Sequence, residues 1–219
     1  MIAASLALAL LAVAQSSALP TPVSPEAVFA HGTDAAHVAR ALATATVHPG
    51  DTQVFSGDFE QATHLRGLPK PLQARGSFLL IRDLGVIWHT TEPAASDLIM
   101  TRDALVQRSA LGARVRTDTR RQPIVRSWTR VLPAILSLDV EQLARHFTMS
   151  LHEAADGGWQ IGLRPREDIG ATKAIVIAGH HELEHIELFE HGGDRVTLDL
   201  HDVSRSMLPA DSTQRARFE

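Results

Sequence analysis

Five strand-like runs stand close together between Val54 and Gln107, and their spacing constrains the fold more than any other feature. They are Val54–Gln61, Leu72–Arg82, Leu84–Thr91, Ser96–Thr101 and Ala104–Gln107. Gly67-Leu68-Pro69-Lys70-Pro71, Asp83, Glu92-Pro93 and Arg102-Asp103 separate them, and these are turn-forming residue types. Connections this short hold no crossover helix, so neighbouring strands must pair antiparallel. The middle runs carry Leu79/Leu80/Ile81, Val86/Ile87/Trp88 and Leu98/Ile99/Met100, apolar at consecutive positions. A sheet with one wet face alternates instead. Each face of this sheet therefore needs a cover.

The flanking sequence supplies candidates for that cover. Glu26 to Ala45 is Ala-rich, with Val28, Phe29, Ala36, Val38, Ala39 and Leu42 as candidate buried positions. Asp34 is placed to cap a helix there, and His48-Pro49-Gly50-Asp51 ends it. Downstream, the segment Arg108 to Arg126 holds Arg114, Arg116, Arg120 and Arg121 and reads as a mobile basic loop, with a solvated strand edge as the alternative. In residues 124–147, Ile124, Trp128, Val131, Leu132 and Ile135 form one apolar helical stripe. Pro133 is expected to kink or divide that helix near Leu132. Asp139 with Gln142 suits a capping box for a second short helix carrying Leu143 and Ala144.

Clean alternation returns in Phe147/Met149/Leu151, Trp159/Ile161/Leu163, Ile186/Leu188 and Val196/Leu198/Leu200, with Ala174–Ala178 continuously apolar. Gly192-Gly193-Asp194 marks a hairpin. The residues from Leu208 to Glu219 read as a polar, frayed tail. The expected fold is thus α+β, mainly β: an antiparallel sheet of roughly ten strands, wide enough to curl, with an N-terminal helix and a helical segment over one face.

The ends and the composition bound the function. Met1 to Ala14 are almost all apolar, and small residues follow, so 1–18 read as a signal peptide despite the missing basic residue before the apolar run. The alternative is a buried N-terminal helix. Residues 19–25 hold three prolines and form a linker, leaving 26–207 as one domain and 208–219 as the tail. A net charge of −4 gives no basic footprint for nucleic acid. Cysteine is absent, which excludes disulfides, thiolate catalysis and a lipid-anchoring cysteine.

One catalytic motif presents itself. His181-Glu182-Leu183-Glu184-His185 matches H-E-x-x-H, in which two histidines on one helix face hold zinc and the glutamate activates water. His191 stands where a longer form of the pattern has its third ligand, but Leu188 replaces the glycine that form requires. The flanks read as strands, which would set His181 and His185 ~13 Å apart. A solvent-facing hairpin is the expected reading, with no metal and no cofactor, and a zinc-dependent hydrolase is the alternative. Asp58/Glu60 and Asp97/Asp103 read as solvated carboxylates, and the tryptophans as core, with Trp88 the best candidate for a ligand contact.

Phe59-Glu60-Gln61, Gly76-Ser77-Phe78, Trp88-His89-Thr90-Thr91-Glu92-Pro93, Ile99-Met100-Thr101 and Leu105 resemble, in order and spacing, the LolA-type outer-membrane lipoprotein carriers. The chain is most similar to the LolA-related proteins encoded with lipid and aryl-polyene biosynthesis genes in proteobacteria. The resemblance implies an incomplete, curved antiparallel barrel, a half-barrel with a helical lid. Between them a cavity would hold the acyl chains of a lipoprotein or other lipid-linked cargo crossing the periplasm. An inner-membrane donor, an outer-membrane acceptor and a monomeric, non-enzymatic carrier are implied with it. On that fold, Phe78, Leu80, Val86, Trp88, Leu98 and Met100 from the sheet are expected to line the cavity. Trp128, Leu132 and Ile135 would face them from the lid. The choice of sheet face is by parity. A dry core built from the same residues is the alternative, as is a non-catalytic envelope assembly factor. In the family an arginine just upstream of the tryptophan bonds the lid. Here Val86 and Ile87 stand there, Arg82 and Asp83 are displaced toward the turn, and the chain has no tyrosine.

Overall fold

A computed structural model describes residues 25–30, 32–45, 53–119 and 122–218. The signal-peptide reading, nearly all of the linker and the expected break at 48–51 lie outside these residues. Eleven strands form one antiparallel sheet: β1 (Val54–His64), β2 (Leu72–Ile81), β3 (Gly85–Glu92), β4 (Ser96–Thr101), β5 (Ala104–Ser109), β6 (Arg114–Asp118), β7 (Phe147–Glu153), β8 (Trp159–Pro165), β9 (Thr172–Gly179), β10 (Leu183–Glu190) and β11 (Arg195–Ser206). Their order across the sheet is β6-β5-β4-β3-β2-β1-β11-β10-β9-β8-β7. Two up-and-down runs therefore meet at a single long-range joint, β1 against β11, with Phe59 opposite Leu200 and Thr63 opposite Val196. Strands β6 and β7 lie at opposite edges, so the sheet is open.

Among the described residues the helices are α1 (Pro25–Val28), α2 (Ala35–Ala45), α3 (Pro123–Leu136), α4 (Val140–His146) and α5 (Ser212–Ala216). Helices α3 and α4 link β6 to β7 and so must cross from one sheet edge to the other. The sheet, open at both edges, is a half-barrel with α3 packed across its inner face. Register shifts in β1 at Ser56/Asp58 and in β2 at Arg75/Gly76 supply local bends. Gly76 is required at the second bend, because a Cβ there would meet the His89 carbonyl oxygen at 1.9 Å.

The two apolar faces each have their cover. The inner cluster joins Phe55, Phe59, Phe78, Leu80, Val86 and Met100 to Val38 and Leu42 of α2, Val131 and Ile135 of α3 and Leu143 of α4. The outer cluster is smaller: Val54, Leu79, Ile81, Ile87, Ile99, Ala104 and Val106, with Ala210 and Phe218 of the C-terminal tail packed on it. The tail is thus structured, not frayed. Asp211 and Gln214 form a capping box on α5, and the Arg215 guanidinium donates to Asp83 at 2.6 Å.

Other local expectations fare differently. Asp34 accepts the His37 N–H at 2.7 Å and starts α2, but Ala36 and Ala39 face solvent while Val38 and Leu42 are buried. Pro133 does not divide α3 at Leu132; the helix runs on to Leu136. It ends where Leu138 takes a φ of 53° and Asp139 caps α4 by accepting the Gln142 N–H at 3.0 Å. The basic segment is not a loop throughout, since Arg114–Asp118 is the edge strand β6. At the other edge, the Thr33 N–H donates to the Met149 carbonyl at 2.8 Å.

Candidate functional site

Helix α3 places two of its faces over different ground. Trp128, Leu132 and Ile135, at spacings of four and three, lie on one side of the helix axis. With strands β9, β10 and β11 they enclose a cavity of about 300 Å³, lined also by Ile169, Thr172, Ile175, Ile186, Leu188, Glu190, Val196 and Leu198. Apart from Thr172 and the half-buried Glu190, which sits where β10 ends, the lining side chains are aliphatic or aromatic. That volume is at the small end of ligand pockets. On the other side of α3, Thr129, Arg130, Pro133, Ala134 and Ser137 face the β2–β3 and β4–β5 turns across a cleft of about 340 Å³ that also holds Arg82 and Arg102.

All nine sequence-predicted residues fall in the inner cluster, on one face of the sheet or on α3. The parity choice of face is therefore the one on which α3 packs. They do not all reach the cavity. Trp128, Leu132 and Ile135 line it; Phe78, Leu80, Val86, Trp88, Leu98 and Met100 do not. Those six pack instead in the N-terminal half of the sheet. Phe59 stacks on Trp88 with centroids 4.2 Å apart, Phe78 lies 5.8 Å from Trp88, and Phe55 lies 5.0 Å from Phe78. The strand residues that wall the cavity come from β9 to β11. Their signal was present in the sequence as the alternation of Ile186/Leu188 and Val196/Leu198, which marks an inward face but not an unfilled one.

No arginine stands beside Trp88, but one reaches α3 from β11. Arg205 lies with its guanidinium 4.0 Å over the Phe55 ring, pairs with Glu182, and donates to the Leu136 carbonyl at the end of α3 at 3.4 Å. Its side chain is almost wholly buried, so the carboxylate and the ring replace lost hydration. On the outer face, His89 Nδ1 lies 2.6 Å from Asp97 Oδ1, so Asp97 is partnered and not merely solvated.

The H-E-x-x-H residues form a β-turn and strand, not a helix. His181 and Glu182 sit in the β9–β10 turn and His185 in β10, so the two histidines share no helix face. Glu182 pairs with Arg205, Glu184 lies 3.2 Å from His180 Nδ1, and His185 Nδ1 lies 2.6 Å from Asp199 Oδ1. Among the described residues, no three His, Asp or Glu side chains are grouped to hold a metal ion. Trp159 is fully buried and donates its indole N–H to the His180 carbonyl at 2.7 Å, a structural role.

Comparison with known proteins follows the fold. A LolA superfamily protein from Nitrosomonas europaea is 12% identical, with 81% of this chain and 96% of that chain aligned at a TM-score of 0.43. An outer membrane lipoprotein-sorting protein domain from Vibrio parahaemolyticus is 8% identical, with 84% and 98% aligned at a TM-score of 0.44. These likenesses are too distant to argue from. No curated protein matches the chain. The family model of the outer membrane lipoprotein carrier protein LolA matches residues 50–213, which take in every strand, helices α3 and α4 and the whole cavity wall, and the chain belongs to the LolA family.

Proposed function

We propose that the protein is a periplasmic, non-enzymatic carrier that takes acyl chains of a lipoprotein or another lipid-linked cargo into the cavity under α3. The observation that carries this reading is the apolar cavity between one face of α3 and strands β9 to β11, in a chain of the LolA family. Burying acyl chain is worth ~0.8 kcal/mol per CH₂, so an apolar enclosure needs no catalytic group to bind it. Trp128, Leu132, Ile135, Ile186, Leu188 and Leu198 are the residues proposed to touch the chain, with Phe78, Leu80, Val86, Trp88, Leu98 and Met100 bracing the sheet beneath α3. Export by residues 1–18 and delivery toward the outer membrane complete the proposal. No helix among the described residues is long and apolar enough to cross a membrane.

The test is lipid extracted from protein purified out of its native envelope, identified by mass spectrometry, together with titration of a fluorescent fatty acid. Saturable binding that natural lipid displaces supports a carrier. Protein that binds no acyl probe overturns it and leaves the assembly-factor alternative. Zinc bound in stoichiometric amount and lost on His181→Ala would instead support a hydrolase.

A further inference from the structure

Because the sheet runs up and down, its turns fall at two ends. The β1–β2, β3–β4 and β5–β6 turns share one end with the β8–β9 and β10–β11 connections. The cavity reaches this same end through Thr172, Glu190 and Val196. Two hydrogen bonds tie its parts together: Arg66 N–H to Asp194 Oδ1 at 2.6 Å, and His191 N–H to the Ala171 carbonyl at 2.8 Å.

Among the described residues, four of the six exposed large apolar side chains are at this end, and Met207 and Leu208 lie at the other. Leu68 and Leu72 on the β1–β2 hairpin are 52% and 56% exposed, and Leu111 and Val115 on the β5–β6 hairpin are 97% and 60% exposed. Leu72 lies opposite Thr63, and Thr63 opposite the cavity residue Val196. Leu72 is therefore two strands, roughly 10 Å, from the cavity wall. Charge follows the same pattern. Residues 65–72 contain Arg66 and Lys70 and no acid; residues 108–116 contain Arg108, Arg114 and Arg116 and no acid, in a chain of net charge −4. Between the two hairpins, Glu92 is paired with Arg75 and Asp97 with His89. The acids Glu167, Asp168, Glu190 and Asp194 belong to the β8–β9 and β10–β11 connections, beyond β1, with Asp194 at the border where it accepts the Arg66 N–H.

We propose that the two basic, leucine-tipped hairpins dock on an anionic lipid surface, setting the cavity end against the bilayer. Exposed apolar tips flanked by cations meet both halves of that interface: the tips enter the acyl boundary while the cations meet anionic headgroups. The carrier reading gives the docking its purpose, and the two are tested apart.

Sedimentation with vesicles of phosphatidylglycerol and phosphatidylcholine, compared with phosphatidylcholine alone, is the experiment. Wild-type protein is expected to bind the anionic vesicles, less so as salt rises. Leu68→Asp with Leu111→Asp is expected to weaken that binding by about tenfold or more, and Arg66→Glu with Arg116→Glu likewise. Both variants should keep the wild-type fold by circular dichroism and the wild-type affinity for a soluble acyl probe. Each variant keeps the wild-type N-terminus, so binding through the apolar first residues would survive the substitutions and overturn the proposal. Wild-type protein that ignores anionic vesicles overturns it as well. So does a dimer that the leucine variant abolishes in the absence of vesicle binding, which would assign the surface to a second copy. Protein that binds vesicles but no acyl probe upholds docking and overturns only the carrier reading.

Discussion

Helix α3 covers two halves of one sheet that are filled differently. Over β1 to β4 the space is taken by rings: Phe59 flat on Trp88 at 4.2 Å, Phe78 beside the same indole, Phe55 tilted against Phe78. Over β9 to β11 the side chains are Ile175, Ile186, Leu188, Val196 and Leu198, and about 300 Å³ stays open. On the first side the rings stack against one another, and on the second the side chains of β9 to β11 and α3 leave a space between helix and sheet. The seam is Arg205 of β11, laid over Phe55 of β1 and bonded to the end of α3. The apolar free volume lies over β9 to β11, and the space on the other side of α3 is the polar cleft that holds Arg82 and Arg102.

That division can be broken by substitution. Phe59 is fully buried and central to the ring stack, so Phe59→Ala should cost about 3–5 kcal/mol, read from the denaturant midpoint. The acyl-probe affinity of the protein that remains folded should be retained. If affinity falls in step with stability, the halves are not separable. Leu198→Trp probes the other side. The added ring enters existing space, so stability should change by less than the 1–3 kcal/mol usual for overpacking a filled core. Probe affinity should drop about tenfold, the equivalent of about 1.4 kcal/mol. A probe that binds Leu198→Trp as well as wild type does not use this cavity.

Much of this arrangement was readable from the residues. The antiparallel order of β1 to β5 followed from short turns, the inward stripe of α3 from Trp128, Val131, Leu132 and Ile135, and the start of α4 from Asp139. The need to cover both faces followed from Leu79/Leu80/Ile81. Three things were not settled by the residues, each for a physical reason. Strand β6 has Arg114 and Arg116 on one face and a largely exposed Val115 on the other, so an edge strand with little to bury carries no apolar periodicity. Helix α5 is five residues long and is fixed by contacts to Asp83 and the outer cluster, far from it in sequence. The cavity under α3 is walled by β9 to β11 and not by the strands expected to line it, because alternation tells which way Leu98 and Leu198 point, but not what stands across from them. Only the β1–β11 pairing, which joins residues such as Phe59 and Leu200, decides that.

The smallest expected effect concerns the outer face, where the two halves differ again. Beneath the ring-filled half, Leu79, Ile87 and Ile99 are covered by Phe218 and Ala210. Beneath β10 and β11 the outer positions are polar, with His185 facing Asp199 and Glu187 facing Thr197, and need no cover. The tail therefore belongs energetically to the closed half. Asp211 accepts the Gln214 N–H at 2.7 Å, and Asp211→Ala removes that cap at an expected cost of about 1 kcal/mol or less, since the site is exposed. The Arg215–Asp83 pair, also exposed, adds little of its own. Loss of the cap should loosen the cover on Leu79 and Ile87, seen as faster amide exchange in β2 and β3, while β9 to β11 and acyl-probe binding stay as in the wild type. Equal acceleration in β10 would mean that the outer cluster supports the whole sheet, and the two halves would then differ only in how they are filled.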